Sequence, residues 1–272
     1  MPTLKLTIAT LIVLTAGLLI SPLPQPKNLR AMLQPTGSFS QIAPNIYTQS
    51  SSPLSSMLPA ALPKAIATVK AALGTGFATP PAIYLPATLG EFERFCASRR
   101  ALGCQVRGKI FLSPRLISQP SSRFPILLTH ELVHLKFTRK LSFWQFAGLP
   151  IWFNEGIATL ISQPDAKDGF CAAEQDIRAG TSFIPAARGS LIFPEYNRAF
   201  GLTPREFYRQ SAVFLAYLKA SQPRGFVAFL QKIQDGQPFQ DSFTDAFGNS
   251  VEQMWQAYRN SIEPADCNNL PT

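Results

Sequence analysis

Histidine is scarce in this sequence of 272 residues, which contains only two of them. A zinc site built from three histidines is therefore excluded. The four cysteines show no C-x-x-C spacing, which disfavours a zinc site made of cysteines. The basic residues are scattered and no motif combining aromatic and basic residues occurs, so we expect no nucleic-acid partner.

Both histidines lie in one string of five residues, His-Glu-Leu-Val-His, at positions 130–134. On a helix, side chains four residues apart lie about 5–6 Å from each other at Cβ, so His130 and His134 can bind one metal ion. Glu131 is turned by about 100° from the first histidine, which places its carboxylate beside a metal-bound water. This spacing is the signature of zinc metallopeptidases, in which the glutamate is the general base. The apolar residues around the motif predict a buried helix.

A catalytic zinc ion takes three protein ligands and keeps its fourth position for water. The best candidate for the third ligand is Glu155, the only carboxylate in the apolar segment 149–160. A lone carboxylate in a buried helix is rare unless it is paired or bound to metal. The alternative is that Glu155 pairs with an arginine or caps a helix. We predict one Zn²⁺ ion bound by His130, His134 and Glu155, with a peptide or protein as substrate.

The string His-Glu-Leu-Val-His, followed downstream by Pro-Ile-Trp-Phe-Asn-Glu-Gly-Ile-Ala, resembles the gluzincin metallopeptidases, in particular the peptidase MA-like group. The resemblance covers residues 105–260, and it is less specific in the later helices. It implies a small zincin-like domain with the metal and base roles given above. It also implies that the strand at 109–112 forms the edge of the cleft and pairs with the substrate backbone.

One position departs from the gluzincin pattern. Gluzincins usually carry an aspartate four residues after the ligand glutamate, where it orients a zinc-bound histidine, and here that position is Thr159. A zinc-bound histidine donates its second N–H to a carboxylate or a carbonyl, so we expect another partner, such as a backbone carbonyl. The missing aspartate supports an alternative function, a catalytically weak or inactive zinc-binding envelope protein that acts as a scaffold or binding module.

Amide hydrolysis also needs a hydrogen-bond donor for the oxyanion, and no histidine is left for that role. Tyrosine is the natural choice. Tyr208 is the first candidate, because it heads the family-like Tyr-x-x-Ser segment, and Tyr196 is the second. The alternative for Tyr208 is a tyrosine that only packs in the core or at an interface.

An unbroken run of fifteen apolar and small residues, 6–20, follows Lys5. This length is typical of a signal peptide and is shorter than the roughly 20 residues that span a bilayer. We predict export to the periplasm or another place outside the cytoplasm, with residues 1–20 either cleaved or kept as a membrane anchor. A buried core helix is the alternative. Residues 21–60, rich in proline and serine, predict a flexible linker, and residues 61–272 a single domain.

Within the predicted domain, apolar patterning predicts helices at 64–73 and 89–99, strands at 82–85 and 108–112, and mainly helices afterwards. Strands first and helices later are typical of an α+β domain. We therefore expect a small zincin-like α+β fold, with an edge strand before the motif helix and a mainly helical second half.

Four cysteines in an exported chain predict two disulfides, for which three sets of pairings exist. Cys96 with Cys104 is the most economical pairing, because only eight positions separate them around Gly103, and Cys171 would then pair with Cys267. If the chain is not exported, free buried thiols are the alternative.

The predicted domain, residues 61–272, has a net charge of +6, against +9 for the whole chain. A basic surface can attract a membrane or another anionic polymer. Because the lysines and arginines are scattered along the sequence, a solvated basic surface is the favoured interpretation.

Overall fold

The computed structural model describes residues 31, 33–163, 167–190 and 195–263. The predicted signal segment 1–20 and the first part of the predicted linker lie outside these residues. Among the helices of the described part, none is long and apolar enough to cross a membrane.

A five-stranded sheet lies in the N-terminal part of the described chain. Its strands are β1 (Ser40–Ala43), β2 (Ile46–Thr48), β3 (Ala82–Leu85), β4 (Gly103–Val106) and β5 (Lys109–Leu112). The spatial order is β1-β2-β3-β5-β4, with β2, β3 and β5 parallel and the two outer strands antiparallel to their neighbours. β4 is therefore an edge strand, and β5 lies inside the sheet.

This order corrects the position of the edge strand that the resemblance implies. Residues 109–112 do not form the edge, because they pair on both sides, with β3 and with β4. The cause is a tight turn at Arg107 and Gly108, whose φ angles are 51° and 73°. Two successive residues with positive φ are typical of a two-residue hairpin turn, which folds β4 back along β5. Because arginine occupies the first of these positions, the usual Asn-Gly or Asp-Gly signal is missing.

The rest of the described chain is mostly helical, which confirms the predicted α+β class. The helices are α1 (Pro53–Leu73), α2 (Leu89–Cys96), α3 (Arg123–Lys140), α4 (Phe143–Ala147), α5 (Ile151–Ser162), α6 (Lys167–Arg178), α7 (Pro204–Ser221), α8 (Pro223–Gln234), α9 (Phe239–Phe247) and α10 (Val251–Ser261). Short 3₁₀ helices lie at Pro114–Ser118 and Asn197–Phe200. Helix α2 ends before its predicted limit at residue 99, because Ala97 adopts a left-handed conformation with a φ angle of 54°.

Helix α1 begins inside the region that the sequence predicts as a linker. Its buried residues recur every three or four positions and are Leu54, Leu58, Leu62, Ala65, Val69 and Leu73. Its internal prolines, Pro59 and Pro63, lie on the exposed side of the helix. Because proline and serine are abundant in this region, its amino-acid composition does not reveal the apolar stripe. Residues 40–60 are therefore part of the folded structure, as β1, β2 and the start of α1.

Helix α5 lies at the centre of the helical part and packs against both α3 and α7. Gly156 makes the contact with α7 close, because a Cβ atom at this position would lie 2.9 Å from the backbone carbonyl carbon of Ser211. Any larger residue would push the two helices apart. Since Gly156 directly follows Glu155, this close approach brings side chains of α7 next to the candidate ligand.

The predicted disulfide between Cys96 and Cys104 is present, with Cα atoms 5.8 Å apart. It joins the end of α2 to the second residue of β4, so the edge strand is covalently attached to the helix behind it. The predicted pairing of Cys171 with Cys267 involves a residue that lies outside the described part of the chain.

Candidate metal centre

The three predicted ligands meet between two helices. His130 and His134 lie one turn apart on α3, and their Nε2 atoms are 3.0 Å from each other. Glu155 comes from α5, with its Oε2 atom 3.3 Å from Nε2 of His130 and 3.6 Å from Nε2 of His134. One ligand atom from each residue lies within 4.8 Å of the other two, so the group can hold one metal ion. The sequence thus predicts which residues come together.

Electrostatic attraction holds these three side chains in place. Burial opposes the charged form of Glu155, but the charge of His134 and hydrogen bonds from both histidines keep the pKa of Glu155 well below its usual range. Burial also opposes the charged form of His134, yet the carboxylate of Glu155 outweighs it and raises the pKa of His134 to about 9. Two imidazole nitrogens and an ionised carboxylate are a donor set that suits a divalent metal ion.

Asn154 orients one of the two histidines. Its Oδ1 atom lies 3.2 Å from Nδ1 of His134, so it accepts a hydrogen bond from that nitrogen and leaves Nε2 directed at the metal position. This partner is a side-chain amide, where the sequence suggests a backbone carbonyl. Thr159, at the position of the usual aspartate, is buried, and no hydrogen bond joins it to either histidine in the described structure. The only sequence signal for Asn154 is its place next to Glu155.

Glu131 lies beside the ligand group and against the edge strand. A Cβ atom at Gly103, the first residue of β4, would lie 2.8 Å from Oε1 of Glu131, so only glycine leaves room for this side chain. Glu131 is buried, and its burial raises its pKa, although the charges of His134 and His130 partly oppose the rise. A buried carboxyl group with a raised pKa is suited to accept and return a proton. The role of Gly103 has no signal in the sequence.

Tyr208, on α7, faces the same group. Its ring stacks on the imidazole of His130, with centroids 6.0 Å apart and planes inclined by 26°. Burial, together with the negative charges of Glu155 and Glu131, raises the pKa of Tyr208 well above its ordinary value. Its hydroxyl group therefore keeps its proton at neutral pH and can donate a hydrogen bond. The part it takes in a reaction stays a prediction.

Tyr196, the second candidate donor, lies farther out. Its side chain is about half exposed, at 55%. Burial of the remaining part and the charge of Glu155 raise the pKa of Tyr196. Both tyrosines therefore lie within the electrostatic influence of Glu155, and Tyr208 is the more deeply placed of the two.

A cavity of about 100 Å³ opens at the N-terminal end of α5. Its wall includes the apolar residues Ile151, Trp152, Phe183, Phe200 and Phe207 together with Arg188, Ser190 and Glu195. Ile151 precedes Glu155 by one helical turn of α5, but Glu155 itself does not line the cavity. It has room for a small apolar side chain of a bound molecule.

The hydrogen bond from His134 to Asn154 predicts a loss of metal affinity when the amide is removed. Asn154→Ala should weaken binding of Zn²⁺ by about 10–100-fold, because an unoriented imidazole loses this amount when its outer partner is lost. A competition titration with a chromophoric chelator measures the affinity. Thr159→Ala is the matched control and should change the affinity by less than about twofold. Equal affinities for Asn154→Ala and the unmodified protein would contradict the orienting role.

Residues 197–258 match a family model described as BSP, peptidase of plants and bacteria. The matched segment contains Tyr208, helices α7 to α9 and most of α10, and it does not include the helices that carry the three candidate ligands. No curated protein matches the chain. The peptidase-family match and the candidate metal group together indicate a peptidase.

Proposed function

We propose that the protein is an exported zinc peptidase of the gluzincin type, in which His130, His134 and Glu155 hold the metal ion and Glu131 is the general base. The observation that carries the proposal is the convergence of three ligand atoms beside a buried glutamate. The match of the C-terminal helices to a peptidase family supports it. Two imidazoles and one carboxylate are a common ligand set of catalytic zinc, with a fourth position open to water.

Glu131 and Tyr208 have different roles in the proposed hydrolysis. When bound, zinc polarises the substrate carbonyl and lowers the pKa of the attacking water. Glu131 accepts the proton from this water and delivers it to the amine nitrogen of the leaving group. Its burial raises its pKa, which makes Glu131 a stronger base than an exposed glutamate. Tyr208, which keeps its own proton, donates a hydrogen bond to the oxygen on which negative charge develops.

Strand β4 is the part of the sheet suited to hold the substrate. In the described structure it pairs with β5 on one side only, so an extended peptide can add to its other side by backbone hydrogen bonds. Gly103 of β4 touches Glu131. A peptide aligned on β4 therefore passes beside the proposed base.

Export is supported by two separate features. The apolar run at 6–20 has the length of a signal peptide core. The Cys96–Cys104 disulfide suits an oxidising compartment outside the cytoplasm. We propose that residues 1–20 direct the chain out of the cytoplasm and that, if they are not removed, they attach it to the membrane.

The alternative function is a zinc-binding envelope protein without turnover, and the threonine at position 159 favours it. The hydrogen bond from His134 to Asn154 weakens this alternative, because it supplies the orientation that the usual aspartate would give to a zinc-bound histidine. Metal binding alone does not separate the two functions, whereas hydrolysis of a peptide library does.

Because the ligands and the base have different roles, replacing a ligand and replacing the base should have different effects on zinc content and turnover. Glu131→Gln should retain Zn²⁺ and lose about 10²–10⁴-fold in turnover, because the amide cannot accept the proton. His134→Ala should lose both Zn²⁺ and turnover. Metal content by atomic emission and peptide hydrolysis before and after chelation measure both properties. Full turnover in Glu131→Gln would show that another group is the base.

The position of Tyr208 predicts a specific loss of transition-state stabilisation. Tyr208→Phe should lower kcat by about 10²–10³-fold with little change in KM, the effect of removing one oxyanion donor. Zinc content and melting temperature should not change, because the ring remains. Tyr196→Phe is the matched variant and should lower kcat by less than about tenfold. A fully active Tyr208→Phe enzyme would make Tyr208 a packing residue and Tyr196 the next candidate.

The apolar N-terminal run predicts the compartment. Residues 1–60 fused to a reporter enzyme that is active only outside the cytoplasm should give activity in bacterial cells, because the run at 6–20 has the length of a signal peptide core. The matched control replaces two leucines of this run with lysine, which removes its apolar character. Strong activity from a reporter that works only in the cytoplasm would overturn the assignment.

A further inference from the structure

Positive charge is distributed unevenly between the two halves of the described chain. The segment 31–140, which contains the whole sheet and the motif helix, has twelve lysines and arginines but only three acidic residues. The segment 141–263 has ten lysines and arginines and twelve acidic residues. The net positive charge of the protein therefore belongs to the half that carries the edge strand.

The few acidic side chains of this half offset only part of that charge, including that of Arg99 near the edge strand. Glu91 pairs with Arg94 at 2.9 Å, and Glu93 pairs with Arg99 at 2.5 Å. The third acidic residue, Glu131, is buried in the candidate site.

Arginines gather at the beginning of β4. The side chain of Arg115 donates from one nitrogen to the carbonyl oxygens of Arg99, at 3.1 Å, and of Arg100, at 3.4 Å. All three arginines are exposed. Arg115, from the 3₁₀ helix after β5, therefore lies beside the short segment that leads into the edge strand, on which Arg100 is exposed and Arg99 is paired with Glu93.

A second basic group lies at the end of β4. Arg107 occupies the hairpin turn and is exposed. Arg139, from the end of α3, donates to the carbonyl oxygens of Gly108 at 2.9 Å and of Thr79 at 2.6 Å. A strand of four residues is about 13 Å long, so an extended peptide along β4 meets positive charge at both of its ends.

Further arginines lie on the helical side, at the start of α3 and on α7. Burial, and the positive charges of Arg205 and Arg123, lower the pKa of Arg209, whose guanidinium group lies against Gly169 of α6. Arg123 begins the motif helix, and Arg209 directly follows Tyr208.

We propose that the substrate of this site is an acidic polypeptide, bound in extended form along β4 with aspartates or glutamates on both sides of the cleaved bond. The proposal rests on the peptidase function proposed above and adds the chemical class of the substrate. Charges within about 10 Å attract across the water of a cleft, and clefts of one sign raise association rates by about 10–10³-fold. The preference is strongest at low salt, because dissolved ions screen these exposed charges.

Three fluorogenic peptides test the preference on the full zinc-loaded protein. They share one apolar centre and differ in their flanks, which are acidic, neutral or basic. At low ionic strength kcat/KM should be at least about tenfold higher for the acidic peptide than for the neutral one, and lowest for the basic one. The ratio should fall towards one at about 1 M salt, where the screening length is about 3 Å.

Two charge-reversal variants test whether the positive charge beside β4 causes the preference for acidic peptides. Arg100→Glu, before β4, should lower the ratio of acidic to neutral kcat/KM by about fivefold, since it replaces attraction by repulsion. Lys219→Glu makes the same change of net charge on an exposed residue in the last turn of α7, and it should leave the ratio unchanged. An equal fall in both variants would assign the effect to total charge and overturn the proposal.

Two further outcomes would also overturn it. Equal kcat/KM for all three peptides at low salt would leave the peptidase function standing and remove the acidic preference. If, in addition, the protein bound vesicles rich in anionic lipid, the basic half would be a membrane-facing surface. If no peptide of any charge were cleaved by the zinc-loaded protein, the peptidase function itself would fail, and the substrate preference with it.

Discussion

The candidate site depends on three ionisable side chains that lie largely out of water between α3 and α5. Moving such groups out of water costs several kcal/mol for each charge, so they must compensate one another. His130, His134 and Glu155 do so by mutual attraction, and Asn154 satisfies a remaining nitrogen of His134. Separating α3 from α5 would remove this compensation. The contact between these two helices is thus the contact that assembles the ligands.

Two glycines set how closely the other elements approach this centre. Gly156 allows α7 to lie against α5, which brings Tyr208 to His130. Gly103 allows β4 to lie against Glu131. The disulfide of Cys104 then attaches the same strand to α2. At the site, the backbone of β4 therefore lies against the side chain of Glu131, and the backbones of α5 and α7 lie against each other.

The sequence predicts which residues form the candidate metal group better than it predicts what surrounds them. Ligands at a fixed helical spacing, and one carboxylate in an apolar helix, are local patterns, and the structure brings those residues together. Contacts such as that of Gly103 with Glu131 join residues that are far apart in the chain. Such contacts produce no periodic pattern in the sequence. The position of the edge strand has no local signal for a related reason, because a positive φ angle at Arg107 is a property of the folded hairpin. The buried stripe of α1 is present in the sequence, but its prolines and serines obscure it.

The open side of β4 has a consequence beyond catalysis. An unpaired strand edge is a template on which a second molecule can add its own edge, which is a common start of aggregation. In this protein, Arg100 and Arg115 at one end of the strand, and Arg107 at the other, would face the same positive groups of an approaching copy. Like charges repel at such distances. The arginines that border β4 therefore oppose the pairing of two copies edge to edge.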